Sequence, residues 1–273
     1  MVSQEQRRRQ LAREKFLRQQ QRRTAARRKT HARNAVVASV LGVVVVGSVV
    51  SYATGVFKND DKKANAGAEV TPSATPTSKA PDPCEKAAEG KVKSLSWKTE
   101  PAVTIDKSAD YTMKMATTCG DIDVALKTAE APHTVNSFNF LAAKGFFDHT
   151  KCHRLTTNGI YVLQCGDPTA AGSGGPGYTI PDENLKDKTL KGGVYPAGTV
   201  AMANTGQKHT GGSQFFLVYQ DSQLPASYTP FGTISKSGMT VLKKIAAAGE
   251  STGQGDGAPN ATVVINKMTV TKS

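Results

Sequence analysis

Two stretches of this chain concentrate side chains that could bind a substrate or act in a reaction. Residues 152–184 read CHRLTTNGIYVLQCGDPTAAGSGGPGYTIPDEN, and residues 200–218 read VAMANTGQKHTGGSQFFLV. The first stretch holds the guanidinium of Arg154 and the amide of Gln164, and the second holds the aromatic ring of Phe216. A guanidinium among apolar neighbours can donate hydrogen bonds to atoms that change their charge during a reaction. The alternative for Arg154 is an ion pair at the surface.

The sequence lacks the motifs of several common classes of enzyme. It contains no G-x-S-x-G nucleophile elbow, no HExxH zinc motif and no P-loop. The glycine run 172–177 lacks the Lys-Ser/Thr pair and the helix of a phosphate-binding loop, and Asp182-Glu183 is typical of a solvated turn. His153 is a candidate general base, with packing against its strand neighbours as the alternative. Cys152-His153 has no second ligand cluster at metal spacing. The sequence therefore predicts no metal and no cofactor.

The elements that must position these residues form a mainly β domain with two helices. Pro132 favours a helix start and Gly145 a helix end, and Val135, Phe138 and Leu141 fall on one face between them. The order of elements has no βαβ rhythm, which favours a closed or nearly closed barrel whose open ends are covered by the helices. The predicted strands span 111–116, 121–126, 199–204, 214–219 and 263–270, and the predicted helices span 132–143 and 239–248.

The four cysteines predict two disulfides, because an even number in an exported domain favours pairing. Asn158-Gly159 is the strongest signal for a hairpin turn. A two-residue turn there pairs residues whose numbers sum to 317, a condition that Cys152 and Cys165 meet. The remaining pair is then Cys84–Cys119. Free or buried thiols are the alternative.

The N-terminal part of the chain differs from the rest in charge and hydropathy. Residues 1–34 hold twelve Lys/Arg and two Glu, which is +10 of the total net charge of +13. Residues 35–57 carry no charge over 23 positions, enough to span a hydrocarbon core of about 30 Å. Positive charge favours the cytoplasmic side. We therefore expect an uncleaved membrane span with the N-terminus in the cytoplasm and the remainder outside. A cleaved signal peptide and a buried strand pair are the alternatives.

The regions on either side of the predicted span have different compositions. Residues 58–83 are rich in Pro, Ala, Thr, Ser and Lys, which predicts a disordered tether before a domain at 84–273. The basic head, residues 1–34, is expected to contact anionic lipid. Contact with RNA or the ribosome is the alternative, although no interleaved aromatic residues support base stacking. The spacing of Gly42 and Gly47 is not that of a packed helix pair, so we expect a monomer.

The two stretches resemble the active site of cyclophilin-type peptidyl-prolyl isomerases. That family shows FHR…GFxxQGGD followed by MANxG…GSQFF, and this chain reads CHRL…YVLQCGD followed by MANTG…GGSQFF. The likeness covers roughly residues 110–272. It implies a closed eight-stranded antiparallel barrel capped by two helices. It also implies a cofactor-free isomerase that acts on proline-containing polypeptides.

The resemblance also implies roles for individual residues. Arg154 matches the catalytic arginine, and Gln164 matches the residue that holds it. Two additional residues lie between them, and Cys165 replaces a glycine of the family pattern. Gln223 stands where many members carry a tryptophan that contacts cyclosporin, so we expect weak cyclosporin binding. The implied substrate-binding residues are Tyr161, Val162, Ala203, Asn204, Gln214, Phe216, Leu224 and Tyr228.

Together, the resemblance and the predicted span imply a single-pass protein of the cell membrane. Its isomerase domain would lie outside the cytoplasm and assist the folding of exported proteins. The alternative is a weakly active binding module or holdase for proline-containing segments. Retention of Arg154, Gln164 and Phe216 favours the enzyme, whereas the insertion beside Arg154 keeps the alternative open.

Overall fold

The computed structural model describes residues 81–273, a range built mainly of short antiparallel strands. Alternating apolar residues produce them: β1 and β2 bury every second side chain. The strands are β1 (Tyr111–Thr117), β2 (Gly120–Leu126), β3 (Thr150–Lys151), β4 (Arg154–Thr156), β5 (Val162–Cys165), β6 (Val194–Tyr195), β7 (Thr199–Met202), β8 (Phe215–Val218), β9 (Ser222–Gln223), β10 (Pro230–Ile234), β11 (Asp256–Gly257) and β12 (Val264–Lys272). The helices are α1 (Pro132–Ala143) and α2 (Lys236–Ala247).

Ten strands form one curled sheet in the order β11-β4-β5-β8-β7-β10-β2-β1-β12-β3, and β6 pairs separately with β9. The edge strands β11 and β3 are not paired with each other, so the predicted closed eight-stranded barrel is corrected to an open half-barrel. The physical reason lies at Cys152 and His153. The Cys152 N–H donates to Val263 O and the His153 N–H donates to Gln164 O, each at 3.0 Å. The chain thus leaves β12 and joins β5 within two residues, and the ladder is interrupted there.

The period of two along the strands creates two apolar clusters on opposite faces of the sheet. Leu155, Leu163 and Leu217 belong to the main core, which also holds the buried apolar residues of both helices. Their strand neighbours Val162 and Phe216 belong to a smaller second cluster. Because successive side chains on a strand point to opposite faces, the second cluster is the outward counterpart of the core.

The two helices begin and end at recognisable residues. Pro132 stands in the first turn of α1, as predicted, while the helix receives its N-terminal acceptor from the carboxylate of Glu183. Ser235 caps α2, because its side chain accepts from the Gly238 N–H at 3.1 Å. Gly145 and Gly249 follow the two helices with φ of 67° and 73°, a conformation in which glycine has no steric penalty.

Both predicted disulfides are present, Cys84–Cys119 and Cys152–Cys165, but the predicted two-residue turn is wrong. Arg154 pairs with Gln164, so the β4–β5 register sums to 318. Of Asn158-Gly159, only the glycine has a positive φ, 75°, whereas the predicted turn type needs it at both central residues. The two half-cystines still face each other because His153 is an extra residue between Cys152 and Arg154. It shifts the register by one before the disulfide is reached.

The segment before β1 packs on the domain. The ring of Trp97 lies edge-on to Phe140 with ring centroids 5.0 Å apart, and the backbone N–H of Trp97 donates to Pro176 O at 2.8 Å. Thr104 N–H donates to Asn136 on α1 at 3.0 Å. Within residues 81–273, neither helix is long and apolar enough to cross a bilayer. The predicted head, the predicted span and all but the last three residues of the predicted tether lie outside the described residues.

Candidate functional site

One row of side chains crosses four neighbouring strands on the outer face of the sheet. Arg154 on β4 is opposite Gln164 on β5, Gln164 is opposite Phe216 on β8, and Phe216 is opposite Ala201 on β7. Directly opposed residues on antiparallel strands have adjacent side chains. The pairing therefore brings together residues from both sequence stretches.

The guanidinium of Arg154 is held by two partners. Its Nη1 donates to Oε1 of Gln164 at 3.2 Å, while Nε and Nη2 donate to the two carboxylate oxygens of Asp256, each at 2.7 Å. The Asp256 carboxylate raises the pKa of Arg154 above its ordinary value, so the group carries its charge at any relevant pH. Sequence reasoning missed Asp256, because 102 residues separate it from Arg154 and no motif links them.

A chain of amides continues from Arg154 across the sheet. Gln164 Nε2 donates to Oε1 of Gln214 at 2.9 Å, and Gln214 Nε2 donates to Gly174 O at 2.9 Å. The Ala203 N–H donates to Gln214 O, also at 2.9 Å. Each amide therefore has a fixed orientation, and the Oε1 of Gln164 is directed at the arginine.

The apolar end of this row, Phe216 and Ala201, belongs to the second apolar cluster. Phe216 is 5% exposed and meets Tyr228 edge-on, with ring centroids 5.4 Å apart. Tyr195, which sequence reasoning missed, is fully buried; its hydroxyl donates to Tyr228 O at 2.7 Å and fixes that wall. The buried members are Val162, Tyr195, Ala201, Phe216 and Val218, and Ile160, Leu190, Ala203, Leu224 and Tyr228 pack against them.

Tyr161, one of the predicted substrate-binding residues, is not a member of the second apolar cluster. Its ring lies 5.8 Å from that of Tyr219 in an edge-on contact, and its N–H donates to Ser222 Oγ at 2.9 Å. Ile160, one residue earlier, packs against the second apolar cluster. The β4–β5 connection, which contains the two additional residues, places Ile160 and not Tyr161 against the cluster. Matching of the sequences could not show this.

A cavity of about 860 Å³ adjoins the polar end of the row. Four of the predicted residues line it, and it also receives Lys98 and Glu100 from the segment before β1. Asn204 stabilises its own loop, since its side chain donates to Ser227 O at 2.8 Å and accepts from the Gly206 N–H at 2.9 Å. The four predicted residues at the cavity are Gln164, Ala203, Asn204 and Gln214.

The glycine run is organised by an internal carboxylate. Asp167 is buried and accepts hydrogen bonds from the N–H groups of Gly172 and Gly174 at 2.6 and 3.0 Å. Burial alone would raise the pKa of Asp167, but these bonds and those from Thr169 outweigh it and hold the pKa below its usual range. Gly166 precedes it at φ 88°, where a Cβ would lie 2.2 Å from Ser213 O. The run thus forms a loop closed on itself, not a phosphate cradle.

His153 does not join the site as a proton carrier. Neither of its ring nitrogens has a hydrogen-bond partner within the described part of the chain, and burial lowers its pKa. A general base must reach the proton that it abstracts from the substrate, and both ring nitrogens of His153 are buried. Among residues 81–273, no cluster of His, Cys, Asp or Glu could hold a metal ion. The arrangement instead offers a fixed guanidinium donor beside an apolar surface.

Comparison with known proteins gives consistent matches. The family profile described as "Cyclophilin type peptidyl-prolyl cis-trans isomerase/CLD" matches residues 112–270. A probable peptidyl-prolyl cis-trans isomerase B of Mycobacterium leprae is 50% identical over 168 residues, which cover 59% of this chain and 57% of that protein. The match thus spans little more than half the length of this relative.

Two further relatives are covered more completely. A peptidyl-prolyl cis-trans isomerase of Helicobacter pylori is 38% identical over 141 residues, 51% of this chain and 81% of that protein. The crystal structure of a cyclophilin type peptidyl-prolyl cis-trans isomerase of Cryptosporidium parvum matches with a TM-score of 0.50 and 25% identity, covering 60% of this chain and 99% of that one.

Proposed function

Because the chain belongs to the cyclophilin-type peptidyl-prolyl cis-trans isomerase family, we propose that it accelerates the cis–trans isomerisation of X–Pro bonds in polypeptides. The observation that carries the proposal is the placement of Arg154. Its guanidinium is fixed by Gln164 and Asp256, and a single strand, β5, separates its strand from that of Phe216 in the apolar cluster. A donor beside an apolar surface is what this reaction requires.

The chemistry of the X–Pro bond explains why such a donor is sufficient. Resonance in the amide gives the bond a barrier of about 18–20 kcal/mol, and uncatalysed exchange takes tens to hundreds of seconds. Twisting the bond removes the resonance and leaves the prolyl nitrogen pyramidal and basic. A hydrogen bond from Arg154 to the twisted amide stabilises it more than either planar isomer, and only such differential stabilisation accelerates the reaction.

The second apolar cluster is the proposed site for the proline ring. Phe216 and Val162 form its floor, while Leu224 and Tyr228 form its partly exposed edge. The neighbouring cavity of about 860 Å³ has room for residues that flank the proline, with Asn204 and Gln214 as polar partners. Gripping one side of the bond allows the other side to rotate. The reaction then needs neither a nucleophile nor a proton carrier.

The test is to measure cis–trans exchange of a proline-containing tetrapeptide by NMR with the full chain, purified in detergent. We expect exchange to become faster in proportion to protein concentration. Peptide binding without any acceleration would contradict the proposal and favour a binding module or holdase built on the same fold.

We also propose that residues 35–57 anchor the protein in the cell membrane and that the isomerase domain acts on exported proteins outside the cytoplasm. The uncharged stretch and the +10 charge of the basic head support this orientation. The two disulfides support it as well, because disulfides persist mainly in oxidising compartments. Protease treatment of intact spheroplasts should digest residues 84–273; protection of this domain would contradict the orientation.

A further inference from the structure

The carboxylate of Asp256 engages Arg154 through both of its oxygens. We propose that Asp256 is a positioning residue of the isomerase, which fixes the plane of the Arg154 guanidinium before substrate binds. This inference rests on the proposed function, because it assigns Asp256 a role through Arg154.

A count of hydrogen-bond donors shows what Asp256 adds. A guanidinium has five N–H groups in a fixed planar fork. Gln164 takes one of them at 3.2 Å, and a single bond leaves the plane free to turn about it. Asp256 takes two more at 2.7 Å each. Three bonds in two directions define the plane, and two N–H groups remain for a substrate.

Asp256 is itself held in place by the backbone around it. It belongs to β11, which pairs with β4 so that Asp256 is opposite Thr156. On the other side, the Glu250 carboxylate accepts from the N–H groups of Thr252 and Gly255 at 2.6 and 2.8 Å and closes the loop before β11. The backbone of Asp256 is therefore fixed by strand pairing on one side and by a hydrogen-bonded loop on the other, and its carboxylate faces Arg154 from this strand.

The exposure of the Arg154–Asp256 ion pair indicates that the pair positions the guanidinium and adds little to the stability of the fold. The side chains of Arg154 and Asp256 are 38% and 54% exposed, and ion pairs this accessible contribute little to folding stability. A two-oxygen contact to arginine does, however, define a geometry. The main consequence of the pair is the orientation of the guanidinium.

The experiment compares the full chain with its Asp256→Asn variant. We expect kcat/KM for peptide isomerisation to fall about tenfold, mostly through kcat, since a misplacement of 1 Å can cost ~10²-fold. The affinity for the proline peptide and the thermal midpoint should stay close to those of the wild type. Asp121→Asn is the matched control, because Asp121 forms an ion pair of equal length, 2.7 Å, with Lys114 and is 51% exposed.

Two further measurements test that Asp256 acts through Arg154. In an Arg154→Ala background, Asp256→Asn should have no additional effect on kcat/KM, whereas a general role in folding would persist there. In ¹⁵N spectra, the Nε–H signal of Arg154 should be protected from solvent exchange in the wild type and lose that protection in Asp256→Asn.

Three results overturn the inference in an active wild type. They are a kcat/KM for Asp256→Asn within twofold of the wild type, an undiminished effect in the Arg154→Ala background, and an unprotected Nε–H in the wild type. A wild type that does not accelerate exchange would instead overturn the proposed function, so the two failures are distinguishable.

Discussion

Removing the Cys152–Cys165 disulfide should lower both stability and activity. The bond joins the ends of the two strands that carry the site: Arg154 follows Cys152 by two residues, and Gln164 immediately precedes Cys165. In the variant with both cysteines replaced by serine, this end of the β4–β5 pair loses its only covalent link. The contact between Arg154 and Gln164 should loosen as a result.

The size of the stability effect follows from the length of the closed loop. The two cysteines are 13 residues apart, and closing a loop of that length contributes about 3 kcal/mol through the entropy of the unfolded chain. For a domain of this size, that corresponds to a decrease in Tm of roughly 6–12 °C. We also expect kcat/KM to fall about fivefold, because a small displacement of a catalytic group is costly.

The second disulfide is the matched control. Cys84 and Cys119 are 35 residues apart, so their replacement should cost about 4 kcal/mol. Cys119 lies in the turn between β1 and β2, strands that carry none of the site residues. Denaturant unfolding and the isomerisation assay on both double variants separate the two effects. An equal loss of kcat/KM in both variants would refute the argument from proximity.

Three other substitutions test what supports the site. Asp187→Asn should destabilise the protein by about 2 kcal/mol at pH 7: burial alone would raise the pKa of Asp187, but the bonds from Lys127 and others hold it well below its usual range. Glu183→Ala should cost about 1 kcal/mol, because α1 loses its N-terminal acceptor. Tyr195→Phe should raise KM for the peptide, because the Tyr195 hydroxyl fixes Tyr228. Urea unfolding measures the first two, and peptide kinetics the third.

Each of these expectations has an outcome that would contradict it. A depressed carboxyl pKa stabilises the fold above the unfolded value of about 3.9, and this stability is lost as pH falls towards the folded value. The difference between wild type and Asp187→Asn should therefore shrink below about pH 4, and a constant difference would contradict the assignment. An unchanged free energy for Glu183→Ala, or an unchanged KM for Tyr195→Phe, would likewise contradict the roles described.

Local sequence signals predicted the elements that depend on neighbours in the chain. The predicted limits of α1, Pro132 and Ala143, were confirmed. They could be predicted because a proline begins the helix and Gly145 follows its end. Arg154 could be recognised as exceptional, since it is the only arginine after Arg33. The two hypotheses for it, a catalytic donor and a surface ion pair, are compatible. The ion pair with Asp256 is present, and two N–H groups of the guanidinium remain free.

Features that depend on one residue of register, or on distant contacts, could not be predicted. The extra residue at His153 and the single left-handed residue at Gly159 moved the β4–β5 register by one. The same connection placed Ile160 rather than Tyr161 against the apolar cluster. Closure of the barrel was mispredicted because the change of partner from Val263 at Cys152 to Gln164 at His153 depends on contacts between separate strands, which leave no local signal.

The central claim is that the Arg154 guanidinium stabilises the twisted amide, and the most direct test is kcat/KM for peptide isomerisation in Arg154→Ala, with the peptide affinity measured in parallel. The account predicts a loss of about 100-fold or more, equivalent to about 2.7 kcal/mol of transition-state stabilisation, while the affinity changes little. A variant that keeps kcat/KM within about threefold of the wild type, well below the loss expected for removing such a donor, would contradict it.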